Sequence, residues 1–203
     1  MQMIPTQDEV IQLLKSTGAL RTGHFIYPNG LHSDLSLQIP VAFRHYEHAK
    51  VLSVGLSRLI RANPELRAAI PELSIVCPAT GGLPVAFGVC EALRAKRVYW
   101  AERENEKEPL RFRQFQHVEP GEKVLLVDDI LRTGKKLMEL KSMVEAGGGK
   151  VVGLAVIVHQ PGPDTPDFSP LPLYALAKLD ALYFMDTEQA KQKFSEDPVR
   201  LWV

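Results

Sequence analysis

Two adjacent carboxylates, Asp128 and Asp129, follow the apolar run Val124-Leu125-Leu126-Val127 and precede Ile130-Leu131-Arg132-Thr133-Gly134-Lys135-Lys136. A buried strand that delivers an acidic pair to its carboxyl end, then turns through glycine into a helix, sets carboxylates beside the unpaired N–H groups of a helix N-terminus. The two halves suit different groups. The helix N-terminus, with the Thr133 hydroxyl and the Lys135 and Lys136 cations, fits a phosphate. The carboxylates fit hydroxyls, and a ribose phosphate offers both. This physics does not single out one ligand, since a solvated turn at a strand end has the same composition. Two other phosphate loops fit less well. A Walker loop needs glycine five positions before Gly134, where Asp129 stands, and Ser or Thr where Lys136 stands. A dinucleotide fingerprint needs three spaced glycines, which neither Gly81-Gly82 nor Gly147-Gly148-Gly149 supplies, so NAD binding is disfavoured.

The elements that must position this pair can be read from apolar period. Thr6 and Glu9 form a capping-box pattern before Val10, Ile11 and Leu14, predicting a short helix that ends near Gly18 and serves as a lid or dimer element. Val51, Leu52, Leu56, Leu59 and Ile60 recur at helical spacing until Asn63-Pro64 stops them. Leu73 to Cys77 reads as a strand, Pro78 to Gly82 as a turn, and Leu83, Ala86, Phe87, Cys90 and Leu93 as a helix. Val98 to Ala101 is a further strand, Glu102 to Glu108 a charged loop, and Leu110 to Val118 an exposed hairpin arm. The strand at Val124 leads to a helix through Leu137, Leu140 and Val144, then a glycine stop and a strand from Val151 to Val158. Five prolines between Pro161 and Pro172 forbid a helix before a last strand, Leu173 to Ala177. Strands alternating with helices predict an α/β fold with a mostly parallel central sheet flanked by helices, and ligands beyond the carboxyl ends of its strands.

The whole chain narrows the choice. Its 203 residues suit a single domain spanning 1–203. With 24 Lys+Arg against 24 Asp+Glu the net charge is zero, which removes the general attraction that a nucleic-acid or anionic-membrane binder uses. The first residues lack the pattern of a secretory signal, and no apolar run approaches the ~20 residues that span a bilayer. Cys77 and Cys90 sit in apolar contexts, too few for a disulfide scaffold and without zinc-site spacing, so a cytoplasmic protein is expected. His45 and His48 have metal-compatible helical spacing but no third ligand, and read as a solvated face.

Val124 to Lys136 resembles the phosphoribosyl pyrophosphate signature of the type I phosphoribosyltransferase family. Over most of the chain the resemblance is to its orotate phosphoribosyltransferase members. Gly23-His24-Phe25, Asn29 to Asp34 and Gln38 resemble the N-terminal hood, Pro78 to Pro84 the pyrophosphate loop, and Ala101 to Glu104 with Leu110-Arg111 the flexible catalytic loop. The resemblance implies a type I phosphoribosyltransferase-like fold with a small hood made from about 1–42 and 160–203. It implies Mg²⁺-dependent transfer of a phosphoribosyl group between pyrophosphate and a pyrimidine base in pyrimidine nucleotide synthesis. Asp128 and Asp129 would hold the ribose hydroxyls and, through the ribose or water, a metal. Arg132, Thr133, Gly134, Lys135 and Lys136 would bind substrate around the 5′-phosphate. Thr80, Gly81 and Gly82 would cradle pyrophosphate and magnesium through backbone groups, and Phe25, His32 and Gln160 would contact substrate. Arg103, Lys107 and Arg111 would close over the leaving group, usually from the neighbouring subunit of a homodimer.

Several positions depart from that pattern. Arg132, Lys135 and Lys136 replace small hydroxyl residues, His159-Gln160 stands where Asp-Arg is usual, Ser36 replaces an aromatic residue, and Arg111-Phe112-Arg113-Gln114-Phe115 replaces Arg-Arg-Gly-Phe. Two other readings therefore stay open: a noncatalytic sensor of phosphoribosyl pyrophosphate, and transfer to a different nucleobase.

Overall fold

The protein is described by a computed structural model covering residues 4–27, 30–105, 108–113, 117–162, 165–185, 193–194 and 197–201. In chain order its elements are α1 (Gln7–Ser16), β1 (Leu20–Ile26), β2 (His32–Leu37), α2 (Pro40–Phe43), α3 (Tyr46–Ala62), α4 (Pro64–Ala69), a 3₁₀ turn (Ile70–Glu72), β3 (Ser74–Pro78) and α5 (Gly82–Leu93). There follow β4 (Arg97–Glu102), β5 (Arg111–Phe112), β6 (Lys123–Leu131), α6 (Lys135–Ala146), β7 (Lys150–His159), β8 (Leu173–Lys178), β9 (Tyr183–Phe184) and β10 (Val199–Arg200).

The apolar runs become the central sheet, in the order β5-β4-β3-β6-β7-β8. All neighbours are parallel except β5, which pairs antiparallel with β4 at the edge. Both faces are covered, as such a sheet requires. One core joins Ile75, Cys77, Leu125 and Val127 to α3 through Leu52, Leu56 and Ile60 and to α5 through Val85, Ala86 and Val89. The other sets Val76, Leu126, Leu154 and Val156 against Leu137, Leu140 and Val144 of α6. Burying each such Leu or Val contributes about 1.5–3 kcal/mol.

The strand order reverses between β3 and β6, because β3 sends its connection to β4 on one side and receives β6 on the other. In open α/β sheets that reversal opens a crevice at the carboxyl ends. The β3–β6 register ends at Val76↔Leu126, while β6 continues beside β7 as far as Leu131↔His159. Asp128 and Asp129 therefore lie at the carboxyl end of β6, as the sequence pattern predicts, with two further strand residues after them. Pairing with β7 sustains the strand where β3 has already turned away.

A second sheet, β10-β1-β2-β9, joins segments from both ends of the chain. β1 and β2 are antiparallel, and β10 runs parallel to β1 with Phe25↔Val199 and Ile26↔Arg200.

Two expected elements differ. The capping box holds, with Glu9 N–H donating to Thr6 Oγ1 at 3.2 Å and Thr6 N–H to Glu9 Oε2 at 2.7 Å. The helix it starts is no free lid: Val10 and Leu14 are fully buried, and Gln7 Oε1 accepts from Lys178 N–H of β8 at 2.9 Å. The predicted hairpin arm is reduced to Arg111–Phe112, because Leu110 and Val118 are drawn into the second core; 114–116 lie outside the described residues.

Candidate active site

Two loops meet across the crevice. After β3 the chain turns through Ala79, Thr80 and Gly81 into α5, and the peptide between Ala79 and Thr80 is cis. Glycine lets the loop pack close to the acidic pair: a Cβ on Gly81 would lie 2.7 Å from Asp129 Oδ2, and one on Gly82 3.1 Å from Asp128 Oδ1, so a larger residue would displace the carboxylates. After β6 the turn Arg132-Thr133-Gly134 enters α6, with Gly134 as its N-cap at φ +67°. A Cβ there would meet the Pro166 ring at 2.7 Å, so the proline-rich segment backs the turn closely. Thr165 Oγ1 also donates to Arg132 O. Thr133, Lys135 and Lys136 remain exposed, leaving the phosphate-type turn open to a ligand.

The acidic pair is buried in a way that raises its energy. Asp128 Oδ1 accepts from Asp129 N–H at 2.9 Å and Asp129 Oδ1 from Ile130 N–H at 2.8 Å. Burial, then the neighbouring Asp129 charge, pushes the Asp128 carboxyl well above the ordinary range. Burial raises Asp129 too, and the Lys136 cation opposes both shifts. Uncompensated carboxylates of this kind suit a ligand that brings hydroxyl donors or a cation. Cys77, beside them, is inert, its thiol pushed up to about 12 by burial and the Asp128 charge.

These loops line one cavity of about 580 Å³. Its polar half holds Thr80, Gly81, Asp128, Asp129, Thr133, Gly134, Lys135 and Lys136. Its other half is closed by Tyr27, Leu37, Gln38, Pro40, Val41 and Leu201, with Arg132 between. Gly82 supports the floor from α5 without lining the cavity.

Other expected site residues lie elsewhere. Phe25 and His32 are buried in the second sheet and do not line the cavity; His32 Nδ1 lies 2.7 Å from His24 Nε2. Burial lowers the His32 pKa, with His24 and Arg200 adding to the effect. Gln160 is 1% exposed and outside the cavity; its N–H donates to Leu131 O at 2.8 Å, and its side-chain amide has no hydrogen-bond partner among the described residues. Arg103 leaves the cavity of its own chain, donating to Glu139 Oε2 of α6 at 2.6 Å, while Glu139 Oε1 accepts from Leu110 N–H. Arg111 pairs with Glu108 at 3.5 Å. Lys107 lies outside the described residues. The sequence reading missed Tyr27, Leu201 and Glu139. Their roles come from contacts across the fold, and only the acidic character of Glu139 on the helix after the phosphate turn hinted at a partner for an arginine.

Residues 57–169 match the family described as phosphoribosyl transferase domain. The chain is 34% identical over 176 residues to an orotate phosphoribosyltransferase of Caulobacter vibrioides, covering 86% of this chain and 85% of the relative. The chain belongs to the phosphoribosyltransferase family. Within that family it also resembles an orotate phosphoribosyltransferase of Pelotomaculum thermopropionicum, 36% identical over 156 residues and 76% of each chain. The fold of this phosphoribosyltransferase is shared with the crystal structure of orotate phosphoribosyltransferase from Aeropyrum pernix, at a TM-score of 0.65 and 18% identity, over 91% of this chain and 97% of that one. Among the described residues no helix is long and apolar enough to cross a membrane.

Proposed function

We propose that the protein is an orotate phosphoribosyltransferase, transferring the phosphoribosyl group of phosphoribosyl pyrophosphate to a ring nitrogen of orotate, with orotidine 5′-monophosphate and pyrophosphate as products of this step of pyrimidine nucleotide synthesis. The observation that carries this reading is the packing of Gly81 against Asp129 and of Gly82 against the buried Asp128, with Gly81, both aspartates and the N-terminus of α6 lining one cavity. Asp128 and Asp129 hold the ribose diol. The N–H groups of the Thr133-Gly134 turn, with Lys135 and Lys136, hold the 5′-phosphate. Thr80, Gly81 and Gly82 cradle the pyrophosphate, and the half lined by Tyr27, Leu37 and Gln38 receives the base.

Breaking the bond from ribose to pyrophosphate builds positive charge on the sugar and negative charge on the leaving group. Placement and fixed charges therefore do most of the work, and no protein nucleophile is required. No group of three or more potential metal ligands occurs among the described residues. The adjacent pair fits Mg²⁺, which keeps its waters and binds through one or two carboxylates together with substrate oxygens. Asp128 and Asp129 would hold the ion in that manner, and it would neutralise charge on the departing pyrophosphate.

Arg103 and Arg111, which do not line the cavity of their own chain, serve the site of a second copy in a homodimer, and Lys107 shares that role. The free thiols of Cys77 and Cys90 agree with a reducing, cytoplasmic setting.

Pyrophosphate release tests the reading. The protein, phosphoribosyl pyrophosphate and Mg²⁺ are incubated with orotate and with a panel of other bases. Release with orotate supports it, release only with another base reassigns the acceptor, and binding without turnover makes the protein a sensor.

A further inference from the structure

The three cations that line the cavity are not equivalent. Lys135 and Lys136 open α6 and stand with the phosphate turn. Arg132 precedes them in sequence, yet its guanidinium carbon lies 4.6 Å from the centroid of the Tyr27 ring, at the opposite half of the cavity. Tyr183 of β9 lies within electrostatic reach of the same guanidinium. Burial pushes that hydroxyl up to about 12, and the Arg132 charge, together with a side-chain hydrogen bond between the two, opposes the shift.

Tyr27 directly follows β1, and Tyr183 belongs to the same second sheet, so Arg132 reaches from the end of β6 to the seam between the two sheets. Its backbone is held there by Thr165 Oγ1, and the preceding Leu131 O accepts from Gln160 N–H. A guanidinium carries five N–H donors in one plane, so one set over an aromatic ring and bonded to a single hydroxyl still has a pair of them to meet a carboxylate with two parallel bonds. Among the described residues no carboxylate forms an ion pair with Arg132. The remaining wall of this half, Tyr27, Leu37, Gln38, Pro40, Val41 and Leu201, carries no charge.

We propose that Arg132 determines acceptor specificity: its guanidinium, set against Tyr27, receives the carboxylate of the incoming base. The inference rests on the phosphoribosyl-transfer reading above and deepens it. A pyrimidine with an acidic substituent then gains a charge-assisted, bidentate contact that the same ring without the substituent lacks. Uracil would enter the same apolar wall but leave the guanidinium unpaired.

The test compares kcat/KM for orotate and for uracil, together with KM for phosphoribosyl pyrophosphate, in the wild type, Arg132→Gln and Arg132→Lys. The expected result is a fall of roughly 10- to 100-fold in the orotate-to-uracil ratio for Arg132→Gln, the scale of one lost hydrogen-bonded charge contact, with KM for phosphoribosyl pyrophosphate within about twofold. Arg132→Lys keeps the charge without the fork and should fall between. It also carries the test if Arg132→Gln does not fold. A raised KM for phosphoribosyl pyrophosphate with an unchanged base ratio would overturn the proposal and return Arg132 to the phosphate. An unchanged ratio and KM would reduce it to a packing residue, and a wild type that prefers uracil would also overturn it. If the wild type turns over no base, the transfer reading itself fails. Calorimetric binding of orotate and uracil to the same three proteins then decides the Arg132 assignment separately, with selective loss of orotate affinity supporting it and equal affinities overturning it.

Discussion

Burial pushes the carboxyls of Asp128 and Asp129 upward, the Asp129 charge adds to the rise at Asp128, and the sign of that shift sets a pH dependence. A carboxyl whose folded pKa lies above its unfolded value contributes most below the ordinary aspartate range and loses that contribution as pH rises through the folded value. The ligand-free protein therefore carries at neutral pH a cost that its ligand relieves. Asp128→Asn should raise the melting temperature of the ligand-free protein at pH 7 and lose this advantage near pH 4, while weakening binding of phosphoribosyl pyrophosphate. Thermal melts at the two pH values check it, and equal gains at both would count against a charge origin. Gly134 offers a steric test at the other end of the site. Its φ of +67° and the 2.7 Å approach of the Pro166 ring mean that Gly134→Ala should cost about 1–2 kcal/mol from the backbone alone, with further loss as the turn shifts. Denaturant unfolding would measure the first, and phosphate affinity the second.

The arm between β4 and β6 is tethered to α6 through Glu139, which takes both the Arg103 side chain and the Leu110 N–H. The Arg103–Glu139 side chains are 26% and 29% exposed, so solvent screens the pair and its stabilisation is small, at most about 1 kcal/mol. Its consequence is positional. Glu139→Gln should leave the melting temperature nearly unchanged but raise proteolytic nicking of the arm, read by limited proteolysis; an arm as resistant as in the wild type would show that Glu139 does not restrain it. Elements of this kind also mark what the sequence revealed. Val124 to Val127 declared a doubly buried strand because such strands are continuously apolar, and Thr6 with Glu9 declared a helix start. The second sheet was not legible as strands. Arg21, Thr22 and Gly23 break alternation in β1, and the two-residue β5, β9 and β10 are too short to show a period. The acidic doublet and the glycine turn stood out as local motifs. Arg103 meeting Glu139, 36 positions away, and Leu201 closing a cavity built around residue 130 depend on tertiary packing that no local pattern encodes.

Across the whole molecule, the sheet reversal brings the glycine turn to the acidic pair, residues of the second sheet and its ends close the far side of the cavity, and Arg103 and Arg111 do not line it. If a second copy supplies those arginines, mixing inactive Asp128→Asn with inactive Arg103→Ala by joint refolding should restore about one quarter of wild-type activity, since half the dimers are hybrids with one intact site each. No restoration would place Arg103 in its own subunit's site. If the doublet and the α6 turn hold opposite ends of one phosphorylated sugar, ribose 5-phosphate isolates that grip, since it lacks the pyrophosphate group. Calorimetric titration of this sugar into the wild type, the Asp128→Asn/Asp129→Asn protein and the Lys135→Ala/Lys136→Ala protein should show each variant weakened by about tenfold or more. A doublet variant that binds ribose 5-phosphate as tightly as the wild type would contradict the account.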